Sequence, residues 1–355
     1  MNPETTTPIF SSDQAEIKVQ KRSMRRAFSR CGWAIFVLTA SVFLISLGFS
    51  AIIALLETRG IAISNFFNNN YLIFNEVIIG IAMLFGALVL LGLPKMSPEK
   101  HRVSPKMFFG FLLVMSFIGT LGSLMGTGML TVWDIITKNN TTNQLNELLA
   151  SVKPWQLFLC VGIIAPIIEE FFFRKLLIDR LLPHGEFYAI LVSAAMFGLF
   201  HQNFSQLFYA FGLGVILGYL YCKSGSYIAV TLLHMAFNII RGIVGTFVSQ
   251  KILELESEME YLSAMLSNDD ILSAITLFIS NCLLPILVYL VYLALVNGMN
   301  AGGVFVFAFN VKKIRLKHTE SQLMPKEKRK AVMLNSGIIA ATVLLAAFTV
   351  YSLFQ

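Results

Sequence analysis

The sequence predicts an all-α fold, a polytopic bundle of transmembrane helices, and two features of its composition lead to that class. Hydrophobic residues make up 56% of the 355 positions, charged residues make up only 13%, and the mean hydropathy is +0.72. A soluble domain has roughly a quarter of its residues charged, because water must solvate its surface. The 31 Phe residues indicate the same class, since a surface that faces lipid tolerates large apolar side chains.

The third observation is a series of nine apolar runs, each long enough to cross a bilayer core, which takes about 20 residues. They lie near 32–56, 72–93, 107–132, 155–180, 185–203, 204–222, 225–249, 271–297 and 333–354. Runs five to seven are separated by only a few residues, so we expect their helices to be antiparallel neighbours.

The basic residues predict the orientation of the bundle. They cluster in residues 1–30, in the 94–106 connection and in the 298–332 connection. With nine spans and the N-terminus inside, all three clusters lie in the cytoplasm, as the positive-inside rule requires. The net charge of +7 therefore sets topology, and no nucleic-acid partner is expected. Residues 1–30 are predicted to be a cytoplasmic tail and not a cleaved signal peptide.

The opposite side of the membrane is predicted to carry two polar segments. One is the 133–154 loop, and the other is the acidic stretch 250–270, for which a solvated loop is favoured over a short surface helix. The four cysteines lie far apart in apolar surroundings, so we expect buried thiols and no disulfide framework or zinc knuckle.

Ionisable residues inside apolar runs are costly, by at least about 2.5–3.5 kcal/mol each, and they mark functional sites. The fourth run contains Pro166, Glu169, Glu170 and Arg174. Arg174 follows Glu170 by four residues and can pair with it on one helix face. Glu169 points about 100° away and is left free. Pro166 removes a backbone hydrogen bond and is expected to kink the helix.

Polar residues also recur at helical spacing in two later runs. Phe197 and His201 share a face of the fifth run, and His234 and Asn238 share a face of the seventh. The sixth run is rich in Gly, which permits close helix packing. A single membrane His or Asn is often only a helix–helix hydrogen-bond partner, and a Glu–Arg pair can be a topological anchor. Their convergence on neighbouring spans favours an active site.

These residues form three motifs, namely Glu169-Glu170-Phe171-Phe172-Phe173-Arg174, Phe197 to His201, and His234 to Asn238. In this order the chain resembles the CAAX protease and bacteriocin-processing family, also called the Abi family of intramembrane proteases. The resemblance covers about 155–245. It implies hydrolysis of a peptide bond within or beside the membrane, in a prenylated, leader-type or other membrane-associated substrate.

The resemblance suggests a division into a basic tail (1–30), three N-terminal spans (31–150), a catalytic helical core (151–249) and a remainder (250–355). The remainder comprises the outer acidic loop, two C-terminal spans and a basic cytoplasmic loop. The expected partners are the lipid bilayer and a peptide or protein substrate. The expected location is a bacterial cell membrane.

The same residues suggest a mechanism. A partly desolvated Glu169 suits the general base, and His201 would hold or help deprotonate the water. His234 and Asn238 would donate to the oxyanion. Glu170 and Arg174, with Phe197, would support the site structurally.

Three alternatives stay open at this point. Glu169, His201 and His234 could be zinc ligands, although no His-Glu-x-x-His is present and the metal-free scheme is favoured. The chain could be a catalytically idle scaffold or regulatory protein of the same fold. A transporter is the third alternative. It is less favoured than the others, because the sequence shows no matching pair of broken helices that would indicate an inverted repeat.

Helix lengths leave one conflict in this scheme. His201 lies about 24 Å along its run, nearer the outer face than Glu169 or His234. The fifth span must therefore tilt or begin deeper than its predicted ends.

Overall fold

The computed structural model describes residues 9–138, 152–267, 271–317 and 323–354, and every regular element among them is helical. The predicted all-α class is confirmed. The helices are α1 (Ile9–Thr58), α2 (Ser64–Asn69), α3 (Tyr71–Val89), α4 (Pro105–Thr137), α5 (Pro154–His184), α6 (Glu186–Phe200), α7 (Phe204–Ser224), α8 (Tyr227–Phe237, Asn238–Ile243 and Val244–Ser267), α9 (Ile271–Lys313), α10 (Pro325–Met333) and α11 (Ser336–Tyr351).

Seven helices in the described ranges are long and apolar enough to cross a membrane, or eight if the bent pair α10–α11 counts as one span. A polytopic bundle is therefore confirmed, but the predicted count of nine spans is not reached. The difference lies in α6, which has only 15 residues. That length corresponds to about 22 Å, short of the roughly 30 Å of a bilayer core.

The observed helix ends remove the conflict over depth. The helix α5 continues to His184, four residues beyond the predicted end at 180. Glu169 therefore lies 184 − 169 = 15 residues from the end of α5, and His201 lies 201 − 186 = 15 residues from the start of α6. Because the two helices are antiparallel neighbours joined at Gly185, both residues lie at a similar depth.

The prediction of a solvated loop for the acidic segment is wrong over 250–267, where α8 continues as a helix to Ser267. The stretch from Thr246 to Ser267 contains no Gly or Pro and is rich in Leu, Glu and Met, which are strong helix formers. Lys251 and Glu254 form an ion pair on this helix. Residues 268–270 lie outside the described residues. In the predicted 133–154 loop, α4 continues to Thr137, and 139–151 also lie outside the description.

Glycines bring the central helices into close contact, as the Gly-rich sixth run predicts. A Cβ on Gly212 would lie 2.5 Å from Ile118, and one on Gly214 would lie 2.9 Å from Ala194. On α4, a Cβ on Gly122 would lie 2.4 Å from the backbone of Tyr209. The helix α7 therefore packs tightly between α4 and α6.

The remaining helices surround this centre. The helix α8 contacts α4, α5 and α7, while α9 packs on α4 and α8. The helix α1 contacts α3 and α11. The four cysteines are free and buried, as predicted. The turns between α6 and α7 and between α7 and α8 comprise only 201–203 and 225–226, so the ends of these helices lie close together.

Candidate active site

The helix α5 changes its winding around the two adjacent glutamates. Two π-helical stretches, Leu157–Ile164 and Phe171–Ile178, flank the α-helical segment Ala165–Glu170. The irregularity lies beside Pro166, where the missing N–H was expected to disturb the helix. Such π-helical turns occur frequently at functional sites, because they redirect side chains that a regular helix would space evenly.

Glu170 is the inner of the two carboxylates and is completely buried. Its Oε2 lies 2.9 Å from Nε of Arg174, one turn along the helix, as the spacing of four residues predicts. The two atoms form an ion pair without the alignment of a hydrogen bond. Its Oε1 lies 3.0 Å from Nδ1 of His234, a contact between α5 and α8 that the sequence did not indicate.

Phe197 lies at the centre of the three motifs. The guanidinium carbon of Arg174 is 4.8 Å from the centroid of its ring, within the range of a cation–π interaction. The rings of His201 and His234 stand nearly perpendicular to it, with centroids 4.9 Å and 5.9 Å away. Phe197 therefore packs against the Arg174 guanidinium and against both histidine rings, and so links the three motifs.

The hydrogen bonds of the histidines define which ring nitrogen each presents. Nδ1 of His201 lies 2.8 Å from the carbonyl oxygen of Phe197. A carbonyl only accepts, so Nδ1 carries the hydrogen and the neutral ring presents Nε2 as an acceptor. Likewise, Nδ1 of His234 donates to the carboxylate of Glu170, which leaves its Nε2 available for another partner.

Glu169 and Asn238 complete the group. The Glu169 side chain is 16% exposed, and its Oε2 lies 3.9 Å from Nε2 of His234, beyond hydrogen-bond range. Asn238 donates a hydrogen bond of 3.0 Å from Nδ2 to the carbonyl oxygen of Val161, which leaves one amide N–H unused. Glu169, His201, His234 and Asn238 all line one cavity.

This cavity has a volume of about 840 Å³, within the range of ligand-binding pockets. Its wall includes two charged residues that the sequence reasoning missed, Glu76 on α3 and Arg241 on α8. Glu76 is buried, and it interacts electrostatically with Glu169 across the cavity. Each is a lone charge in an apolar run, so the cost of burying charge in a membrane would have identified both.

The zinc alternative requires Glu169, His201 and His234 to converge on one metal ion. Among the residues that the structure describes, no three His, Cys, Asp or Glu side chains are arranged to hold a metal ion. Glu169, His201 and His234 share a cavity but are not arranged as a metal-ligand set in this conformation.

The segment that contains these residues is similar to a known protein family. Residues 151–240, about a quarter of the chain, match the family described as type II CAAX prenyl endopeptidase Rce1-like. Searches of curated proteins and of solved structures found no match. The matched segment contains all three motifs. The family match, which covers this part of the chain, confirms the resemblance that the motifs predict.

Proposed function

We propose that this protein is an intramembrane endopeptidase that hydrolyses a peptide bond of a membrane-associated substrate. The observation that carries the proposal is the convergence of Glu169, His201, His234 and Asn238 on one cavity, although they come from three helices. Ionisable groups are expensive inside a bilayer, so their convergence is better explained by shared chemistry than by independent packing roles.

In the proposed reaction, Glu169 is the general base. Its position in the cavity wall supports this role, because Glu170 is already held by Arg174 and His234. A carboxylate oxygen of Glu169 takes a proton from water, and the hydroxide adds to the carbonyl carbon of the scissile bond. Nε2 of His201 accepts the other hydrogen of the water and orients it. When the C–N bond breaks, Glu169 returns the proton to the leaving amine.

The oxyanion is stabilised from α8. The unused amide N–H of Asn238 is one donor, and His234 is the other. Because Nδ1–H of His234 already donates to Glu170, His234 donates Nε2–H to the oxyanion only when it carries both ring protons. The Glu170 carboxylate is the counter-ion for that form. Glu170 is therefore a positioning residue for His234 as well as the partner of Arg174.

The alternative is a catalytically idle membrane scaffold with the same fold. Comparative mass spectrometry of membrane proteins and released peptides separates the two, using cells with the gene, cells without it and cells with Glu169→Gln. An endopeptidase predicts a shortened protein and a new terminus that are lost equally from the last two strains. A scaffold predicts that the Glu169→Gln strain resembles the first.

The purified protein gives the quantitative test. Glu169→Gln keeps size and hydrogen bonding but removes the base, so turnover of a reporter peptide should fall by about 10²- to 10⁴-fold. The melting temperature should stay within about 2 °C, since Glu169 makes no hydrogen bond to the described residues and its oxygen lies 3.9 Å from His234. Full turnover, or a change in melting only, would support the scaffold. Loss of wild-type turnover under a zinc chelator and recovery with zinc would overturn the metal-free assignment.

A further inference from the structure

Arg241 is the only Lys or Arg among the described residues that line the cavity. It lies one residue beyond the segment that matches the family. On α8 it follows Asn238 by three residues and His234 by seven, which corresponds to about 4.5 Å and 10 Å along the helix. Arg241 therefore faces the same cavity as the proposed catalytic group, displaced along α8 toward its C-terminal end.

The contacts of Arg241 within the described part of the chain leave its charge without a counter-ion. Nη2 donates a hydrogen bond of 2.8 Å to Oγ1 of Thr120 on α4. Oγ1 of Thr120 in turn lies 3.2 Å from Oδ1 of Asn300 on α9. None of the acidic residues that the structure describes forms an ion pair with Arg241. In particular, the electrostatic neighbours of the cavity carboxylate Glu169 are Glu76, Glu170 and Arg174, and Arg241 is not among them.

A structural role does not account for this charge. Thr120 and Asn300 are neutral, and a neutral side chain would hydrogen-bond to them without the cost of placing a guanidinium in a membrane protein. Tyr292 on α9 lies near enough to interact electrostatically with Arg241, but it is neutral as a phenol, and the other nitrogens of Arg241 donate no hydrogen bond to the described residues. A guanidinium with free donors presents a planar fork that matches a carboxylate, which supplies both the counter-ion and the hydrogen bonds.

On the basis of the proposed peptidase function, we propose that Arg241 is a specificity-determining residue that binds a carboxylate of the substrate peptide. An extended peptide advances about 3.3 Å per residue, so the 4.5–10 Å displacement corresponds to about one to three residues from the scissile bond. The carboxylate is either the C-terminus of the substrate or an Asp or Glu side chain. Both sources share the chemistry that the guanidinium recognises.

The test uses internally quenched peptides built on the cleavage sequence identified by mass spectrometry. One pair carries a C-terminal carboxylate or amide, and the other pair carries Asp or Glu near the scissile bond or the matching Asn or Gln. A charged hydrogen bond is worth about 1.5–3 kcal/mol, so removing the recognised carboxylate should raise the wild-type KM by about 10- to 100-fold. The pair that shows the change identifies the source, and kcat should change little.

Variants assign the effect to Arg241. In Arg241→Gln the KM for the carboxylate peptide should rise to the value for its neutral partner, so that the discrimination disappears. Arg241→Lys should retain part of the discrimination, because it keeps the charge but loses the fork. Thr120→Val is the matched control, since it removes the hydrogen bond to Arg241 and leaves the charge. It should discriminate as the wild type does.

The outcomes separate this proposal from the one on which it rests. If the wild type cleaves all four peptides with equal KM, the carboxylate role is wrong and the peptidase function stands. If Arg241→Gln keeps the wild-type discrimination, another residue binds the carboxylate. If no peptide is cleaved, the peptidase function fails and the proposal fails with it. The wild-type peptide pairs decide the first question even where Arg241→Gln does not fold.

Discussion

The helices α5 and α9 are both long and apolar, but they differ in what surrounds them. In the most apolar stretch of 18 residues in each helix, the buried share is 44% for α5 and 6% for α9. Between Ile271 and Asn310, α9 carries no charged residue, whereas α5 carries Glu169, Glu170, Arg174 and three further charges. The difference shows that this bundle keeps charges where protein surrounds them and excludes them where lipid would.

The first prediction compares the same substitution in the two regions. Asn238→Ala removes the proposed oxyanion donor and should lower kcat by about 10²- to 10³-fold. Asn297→Ala on α9 removes an exposed amide and should leave kcat within assay scatter. Steady-state turnover of the reporter peptide measures both. Equal effects of the two substitutions would remove the functional distinction between core and periphery.

The second prediction compares a buried and an exposed glutamate. Glu170→Gln leaves Arg174 as an uncompensated buried charge, so the free energy of unfolding should fall by about 3–5 kcal/mol. Glu99 pairs with Lys317 across 3.5 Å, but both side chains are about three-quarters exposed, so Glu99→Gln should change stability little. Thermal melting in detergent measures the contrast. A melting temperature of Glu170→Gln equal to the wild type would contradict the structural role of the pair.

The third prediction tests close packing within α4. A Cβ at Gly122 would meet the backbone of Tyr209 on α7, which cannot move independently of its helix. Gly122→Ala should therefore destabilise the protein by about 1–3 kcal/mol. Gly128 on the same helix has nothing within 4 Å, so Gly128→Ala should leave the melting temperature unchanged or raise it. The reverse order of the two variants would contradict the packing of α4 on α7.

The fold class was predictable because hydropathy is a local property, and each predicted apolar run is helical over most of its described residues. The spacing of Glu170 and Arg174 was equally local, and the two side chains meet as expected. The contact of Glu170 with His234 was not predictable, because it depends on how α5 and α8 pack and on the π-helical winding of both.

Two other features were missed, the first for a local reason and the second for a long-range one. The 250–267 segment was assigned to a loop from its charge, although its high helix propensity favoured the observed helix. The place of Glu76 in the cavity requires α3 to pack beside α5, which no spacing within the chain specifies. Long-range packing therefore determined the composition of the site, while local pattern determined its motifs.

The shortness of α6 has a consequence for the bilayer itself. Glu186, at its start, pairs with Lys223 across 2.5 Å and accepts a hydrogen bond from the backbone of Lys317, so α6 begins at the face that carries the basic connections. From there it ends about 8 Å short of the opposite side of a 30 Å hydrocarbon core. The polar turn at Gln202 and Asn203 cannot face lipid tails, so the membrane must thin locally or admit water there. Water for hydrolysis would then have to cross a thinner layer than the nominal membrane, and turnover should depend on the thickness of the surrounding lipid.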